Sequence, residues 1–165
     1  MILKQPKVIF VIGVSGSGKT TIGQKLAGEL QVEYVDADDH HPEKNIEKMK
    51  SGSPLTDEDR LPWLDRLREI AKTHLTKGCV ISCSALKQSY RDRLSRSIKD
   101  NIQWIYLDGN YELIHSRMKK RENHFMDANM LKSQFETLEK PTNALKVDIN
   151  KSPDKIVQKI LTRIR

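Results

Sequence analysis

The stretch GVSGSGKT, Gly13 to Thr20, constrains this chain more than any other. It follows a short apolar run, VIFVI at Val8–Ile12, and precedes Ile22, Leu26 and Leu30 at helical spacing. The run is β-branched and unbroken, which predicts a strand buried on both faces of a parallel sheet. A buried strand, a glycine-rich turn and a helix form an anion trap. Glycines let the backbone turn its N–H groups inward, and the helix start adds unpaired N–H groups and the positive end of its dipole. The spacing G-x-x-x-x-G-K-[ST] is met without exception, so the anion is a nucleotide's phosphate tail. Lys19 is placed to reach the β- and γ-phosphates, and the Thr20 hydroxyl to reach Mg2+.

The rest of the chain repeats the strand-then-helix order. Further strands are expected at Glu33–Val35 (ending at Asp36), Cys79–Cys83, Gln103–Leu107 and Leu145–Ile149. Helices are expected at Pro42–Lys50, from Asp57 and Arg60 to Leu75, and at Lys87–Ile98, Tyr111–Lys120, Met130–Leu138 and Pro153–Ile164. Glu122–Asp127 reads as irregular. This alternation predicts a parallel sheet covered on both faces, with ligands at the carboxyl ends of its strands. At 165 residues, with no linker or repeat, the chain reads as one domain.

Composition narrows the partners. The net charge is +7, yet only 5% of residues are aromatic and no long Lys/Arg block occurs, so a small polyanion is expected and nucleic acid is not. No run approaches the ~18 apolar residues of a membrane span, and no signal-peptide pattern opens the chain. A cytoplasmic enzyme is the expectation. Cys79 and Cys83 lie too far apart along one strand to bridge easily and are expected as buried, reduced thiols.

A phosphate trap needs a second substrate to name a reaction. VDADDHHP, Val35 to Pro42, leaves the second strand with Asp36 and Asp38 on either side of Ala37, expected to point different ways. One carboxylate is suited to the magnesium's water shell, the other to an acceptor hydroxyl's proton. His40 and His41 lack a companion at metal-site spacing. Arg60, Lys87 and Arg91 stand near strand ends and could hold an anionic acceptor, Arg in a bidentate grip on a carboxylate. Arg117 and Arg121 share a helical face at the edge of the irregular segment, which could close over the nucleotide and exclude water.

With these pieces in place the chain resembles the small gluconate kinases, relatives of shikimate kinase and the nucleoside-monophosphate kinases. The matching segments are GVSGSGKT, VDADDHHPEKNIEKMKSGSPLTDEDRLPWL, CSALKQSYRDRL, IYLDG, SRMKKRENHFM and SQFETLEKP. The resemblance implies ATP-dependent phosphorylation of D-gluconate at its 6-hydroxyl, with another small hydroxy acid such as shikimate as the alternative acceptor. It implies a P-loop NTPase α/β fold of three layers with a five-stranded parallel sheet in the order 2-3-1-4-5. An acceptor-binding segment over about 38–76, a lid over about 118–130 and a homodimer belong to the same expectation. Carried to this numbering, Gly13, Ser15, Gly16, Ser17, Gly18, Lys19, Thr20 and Thr21 would bind ATP, and Thr20 and Asp36 would bear on Mg2+. Asp38 would be the acceptor-side base. Arg60, Lys87 and Arg91 would hold gluconate, with His124 and Gln134 completing that pocket. Arg117 would lie against adenine, and Arg121 would be the lid cation. The chain has Ala37 and Asp39 where relatives often have a glycine and an apolar or aromatic residue; Asp39 is expected to point away from the site.

Overall fold

The computed structural model describes residues 7–120 and 128–164. Five parallel strands stand in the order β2-β3-β1-β4-β5, as expected: β1 Val8–Ile12, β2 Glu33–Asp36, β3 Cys79–Ser82, β4 Ile102–Asp108 and β5 Leu145–Asp148. Among the described residues seven α-helices connect or follow them: α1 Lys19–Leu30, α2 Glu43–Lys50, α3 Asp57–Thr73, α4 Gln88–Ser95, α5 Tyr111–Lys119, α6 Ala128–Thr137 and α7 Pro153–Ile164.

Strand periodicity sorts the core into two halves. Along β1, Ile9 and Val11 face one layer while Val8, Phe10 and Ile12 face the other. In β4, Ile105 and Leu107 join the first set, and Trp104 and Tyr106 the second. The first layer is built by α1, α5 and α7, through Leu26, Ile114 and Ile160 among others. The second is built by α3 and α4, through Leu64, Leu67 and Leu94. β1 and β3 are neighbours, yet α1 packs on one face and α4 on the other. A crevice therefore opens at the carboxyl ends of these two strands, the place where open α/β sheets take ligands.

Local signals set the ends of α3. Thr56 Oγ1 accepts from Asp59 N–H, and Asp59 Oδ2 accepts from Thr56 N–H, a closed capping box. Lys48 on α2 donates to the same Asp59 carboxylate at 2.6 Å. That hydrogen bond, with those of Thr56, lowers the Asp59 pKa to about 2. The box explains how Pro62 is carried inside α3: the helix is already nucleated before the missing N–H. The sequence also concealed two short 3-10 turns, Ala37–His40 and Lys99–Asn101.

Cys79 and Cys83 are free and buried, and burial raises both thiols to about 12. Among the described residues no helix is long and apolar enough to cross a membrane.

His74, closing α3, ties that helix to β2. Its Nδ1 lies 2.8 Å from Ile70 O and its Nε2 2.7 Å from Glu33 Oε2. Both acceptors are served at once only by the imidazolium, so the hydrogen bond to Ile70 and then that to Glu33 raise its pKa above the ordinary 6.5. A raised folded-state pKa gives stability that is full below the unfolded value and fades as pH rises through the folded one. The stability difference between the native protein and His74→Gln in thermal melts should therefore be larger below the ordinary histidine value of 6.5 than at alkaline pH.

Candidate active site

The phosphate loop begins where β1 runs out of sheet. A Cβ on Gly13 would stand 3.1 Å from the Leu107 carbonyl of β4 and 2.9 Å from Ser17 Oγ, so only glycine lets the loop leave this close to the neighbouring strand. Gly18 caps α1 at φ 99°, in the left-handed region that swings the chain into the helix. The first turn of α1 then directs its unpaired N–H groups at the crevice. Lys19 folds back over the loop, its Nζ donating to Gly13 O and Val14 O at 3.0 Å each. Burial pulls its pKa down, and the carboxylate of Asp38 opposes that shift.

Two clefts are lined by this loop, and another continues from one of them. The first, of about 280 Å³, is lined by Ser15, Gly16, Gly18, Lys19, Thr20 and Thr21 on one side and by Asp36, Asp38 and Ser82–Ser84 on the other. The two aspartates do not diverge as expected. Residues two apart keep to one side of an extended strand end, and the 3-10 turn that begins at Ala37 leaves Asp36 and Asp38 on the same cleft. Asp36 Oδ1 accepts from Asp38 N–H at 2.9 Å, and both residues line the same cleft. Burial raises the Asp36 pKa, with the hydrogen bond from Asp38 N–H acting against it. Asp39 is exposed and lines none of the three clefts.

The second cleft, of about 500 Å³, continues from Ser84 between α3, α4 and α6. Arg60, Trp63, Lys87, Tyr90 and Gln134 line it. Trp63 fixes its join with the first cleft: the indole Nε1 donates to Ala37 O at 2.7 Å, and His41 stacks on its ring at 4.2 Å. Gln134 fixes the other wall. Its Oε1 accepts from Ser15 N–H at 2.7 Å and its Nε2 donates to Ser15 Oγ at 3.0 Å, so one side chain touches the phosphate loop and the second cleft together.

The third cleft, of about 270 Å³, lies on the far side of the loop. Ser17, Gly18, Thr21, Arg117, Lys151 and Pro153 are among its walls. Arg117 is steadied by a 2.6 Å hydrogen bond to Ile149 O.

Most of the residues singled out in the sequence thus gather around one crevice; two of the described ones, Gly13 and Arg91, differ in detail. Gly13 lines none of the clefts and contributes through its carbonyl. Arg121 and His124, with the central part of the expected lid, lie outside the described residues. Arg91 corrects the expectation placed on it. It is 2% exposed, with Nη1 donating to Ala85 O and Nη2 to Glu139 O, each at 2.6 Å. Its guanidinium serves the backbone because Ala85 sits at φ 43°, a turn that costs an L-residue energy and needs an external brace. Arg91 therefore positions the segment that carries Lys87. Trp63, Tyr90 and Asp57 went unnoticed in the sequence. Tyr90 was legible, lying one helical turn beyond Lys87.

Relatives agree with this assembly. The shikimate kinase family pattern matches residues 15–165. A thermosensitive gluconokinase of Escherichia coli (strain K12) is 48% identical over 146 residues, spanning 85% of this chain and 78% of that protein. The chain belongs to the gluconokinases of the shikimate kinase family. A thermoresistant gluconokinase of the same organism is 42% identical over 164 residues, covering 96% of this chain and 93% of its own. The crystal structure of a gluconokinase from Sinorhizobium meliloti 1021 is 39% identical, with a TM-score of 0.87 over 96% of this chain and 91% of that one. The five-stranded kinase fold and its nucleotide loop are thus those of the gluconokinase family.

The two readings of Arg91 separate in a melting experiment. As a brace, its replacement by Ala leaves two carbonyls without a charged donor and should cost about 2–3 kcal/mol of stability. As a mere acceptor ligand it would leave the unfolding midpoint unmoved.

Proposed function

We propose that the protein transfers the γ-phosphoryl group of ATP to the 6-hydroxyl of D-gluconate, giving 6-phospho-D-gluconate. One observation carries the reading: paired aspartates stand between a phosphate loop and a cleft whose far end holds Arg60 and Lys87. That order matches a sugar acid lying with its carboxylate at the cations and its terminal alcohol toward Asp38. The gluconokinase relatives point the same way.

ATP would lie along the loop, its phosphates on the amides from Ser15 to Thr21 with Lys19 alongside, and its base in the cleft beside Arg117 and Pro153. Lys19 must exchange two backbone carbonyls for phosphate oxygens, a trade that restores full charge pairing. The oxygen donors of Thr20, Asp36 and Asp38 in one cleft suit a hard dication. Among the described residues no group of three or more His, Cys, Asp or Glu could hold a metal, and a magnesium ion kept largely by phosphates and water needs none. Bound there, the ion would neutralise charge on the phosphate tail.

Asp38 accepts the proton of the attacking alcohol. Arg60 and Lys87 hold the carboxylate, and Gln134 with Trp63 walls the chain of hydroxyls. The transfer itself asks mainly for alignment and charge neutralisation, which these side chains supply. Arg121 is assigned to the lid as its cation, the segment over about 118–130 to the lid itself, and His124 to the acceptor pocket. The whole chain, 1–165, is read as one kinase domain, a cytoplasmic homodimer that takes a small molecule rather than nucleic acid or membrane.

Turnover with gluconate, shikimate and nucleoside monophosphates tests the substrate. ATP-dependent product with gluconate alone is expected; product only with another acceptor would overturn the assignment. Lys19→Ala and Asp38→Asn should each lower kcat by about 10²-fold or more while melting like the native protein. Arg60→Ala should act chiefly on the gluconate KM, by about tenfold, through loss of a charge-assisted hydrogen bond.

A further inference from the structure

The cations assigned to the acceptor already hold a carboxylate of this chain. Lys87 Nζ lies 3.1 Å from both Oδ1 and Oδ2 of Asp57. Arg60 Nη1 stands 3.9 Å from Oδ1 while donating to Leu55 O at 2.9 Å, and the Tyr90 hydroxyl donates to the same Asp57 oxygen. Both cations also lie 5.5 Å from the Tyr90 ring centroid. Two positive groups and one O–H donor converge here on a single carboxylate at the end of the second cleft, the donor set a bound sugar acid would use. Asp57 is the more exposed member, at 59% of its side chain, against 30% for Arg60 and 31% for Lys87. It enters from the first turn of α3 and reaches in from the rim.

We propose that Asp57 is an affinity-setting residue of the acceptor site: it occupies Lys87 in the free protein, with Arg60 close by, and the substrate's carboxylate binds by displacing it. The proposal rests on the placement of gluconate given above. Hydrogen bonds from Tyr90 and then Lys87 hold the Asp57 carboxyl below the usual range, so the competitor stays ionised at neutral pH. Its charge leaves a single net positive charge on the Asp57–Arg60–Lys87 trio, matched to an acid that carries one carboxylate. An exchange of one carboxylate for another leaves Lys87 paired before and after binding, so its charge is not held unpaired in the cleft before substrate arrives. The cost is affinity, because each binding event must first part an ion pair.

The test is steady-state kinetics of Asp57→Asn, Asp57→Glu and Lys87→Met, with Asp57→Asn combined with Lys87→Met. Asparagine keeps the shape of the α3 first turn, and the Thr56–Asp59 capping box is untouched. With the competitor uncharged, the gluconate KM should fall about two- to fivefold, the worth of an exposed pair, while the KM for ATP stays where it was. Asp57→Glu should restore the native gluconate KM. In the Lys87→Met background the gain from Asp57→Asn should shrink, since the competitor has lost its main hold. A rise in gluconate KM for Asp57→Asn, or an equal gain with and without Lys87, would overturn the proposal. If Lys87→Met leaves the gluconate KM unchanged, the placement of the acceptor carboxylate fails instead, and the proposal with it.

Discussion

Burial of β1 on both faces is the constraint on which the rest depends. Val8 to Ile12 have no exposed side, so the strand can only occupy the middle of the sheet with helices above and below. Its end is therefore the one place where a loop emerges between two strands whose helices leave on opposite faces. The glycines then let backbone amides, rather than side chains, form the floor of the site.

A second theme is that the protein answers its own polar groups before any ligand arrives. Lys19 rests on the carbonyls of Gly13 and Val14. The Ser15 amide is matched by Gln134, and Lys87 by Asp57. Each contact is one that a substrate atom can replace in kind: phosphate oxygen for carbonyl or amide oxygen, carboxylate for carboxylate. Such stand-ins spare the protein the cost of unpaired buried groups and lower the gain on binding by a similar measure.

Much of this was legible in the sequence because period-two and helical spacings are local. The five strands and seven helices follow from apolar patterning, with ends shifted by a residue or a few. The glycine-rich stretch declared its own chemistry. What escaped notice was set by contacts between distant segments. The turn at Ala37–His40 is only four residues, too short to show a period, and the divergence expected of Asp36 and Asp38 runs against the period of two, which keeps residues two apart on one side. Arg91 reads as a surface cation one turn from Lys87; only the fold reveals that Ala85 and Glu139 arrive with carbonyls to claim it. Asp57 looks like an ordinary acid in a helix's first turn until Lys87 and Tyr90, some thirty residues later, are folded against it.

Gln134 gives the architecture a further property. One amide group both binds the backbone and hydroxyl of Ser15 and walls the second cleft, so a single change of its rotamer reshapes the loop's surroundings and that cleft together.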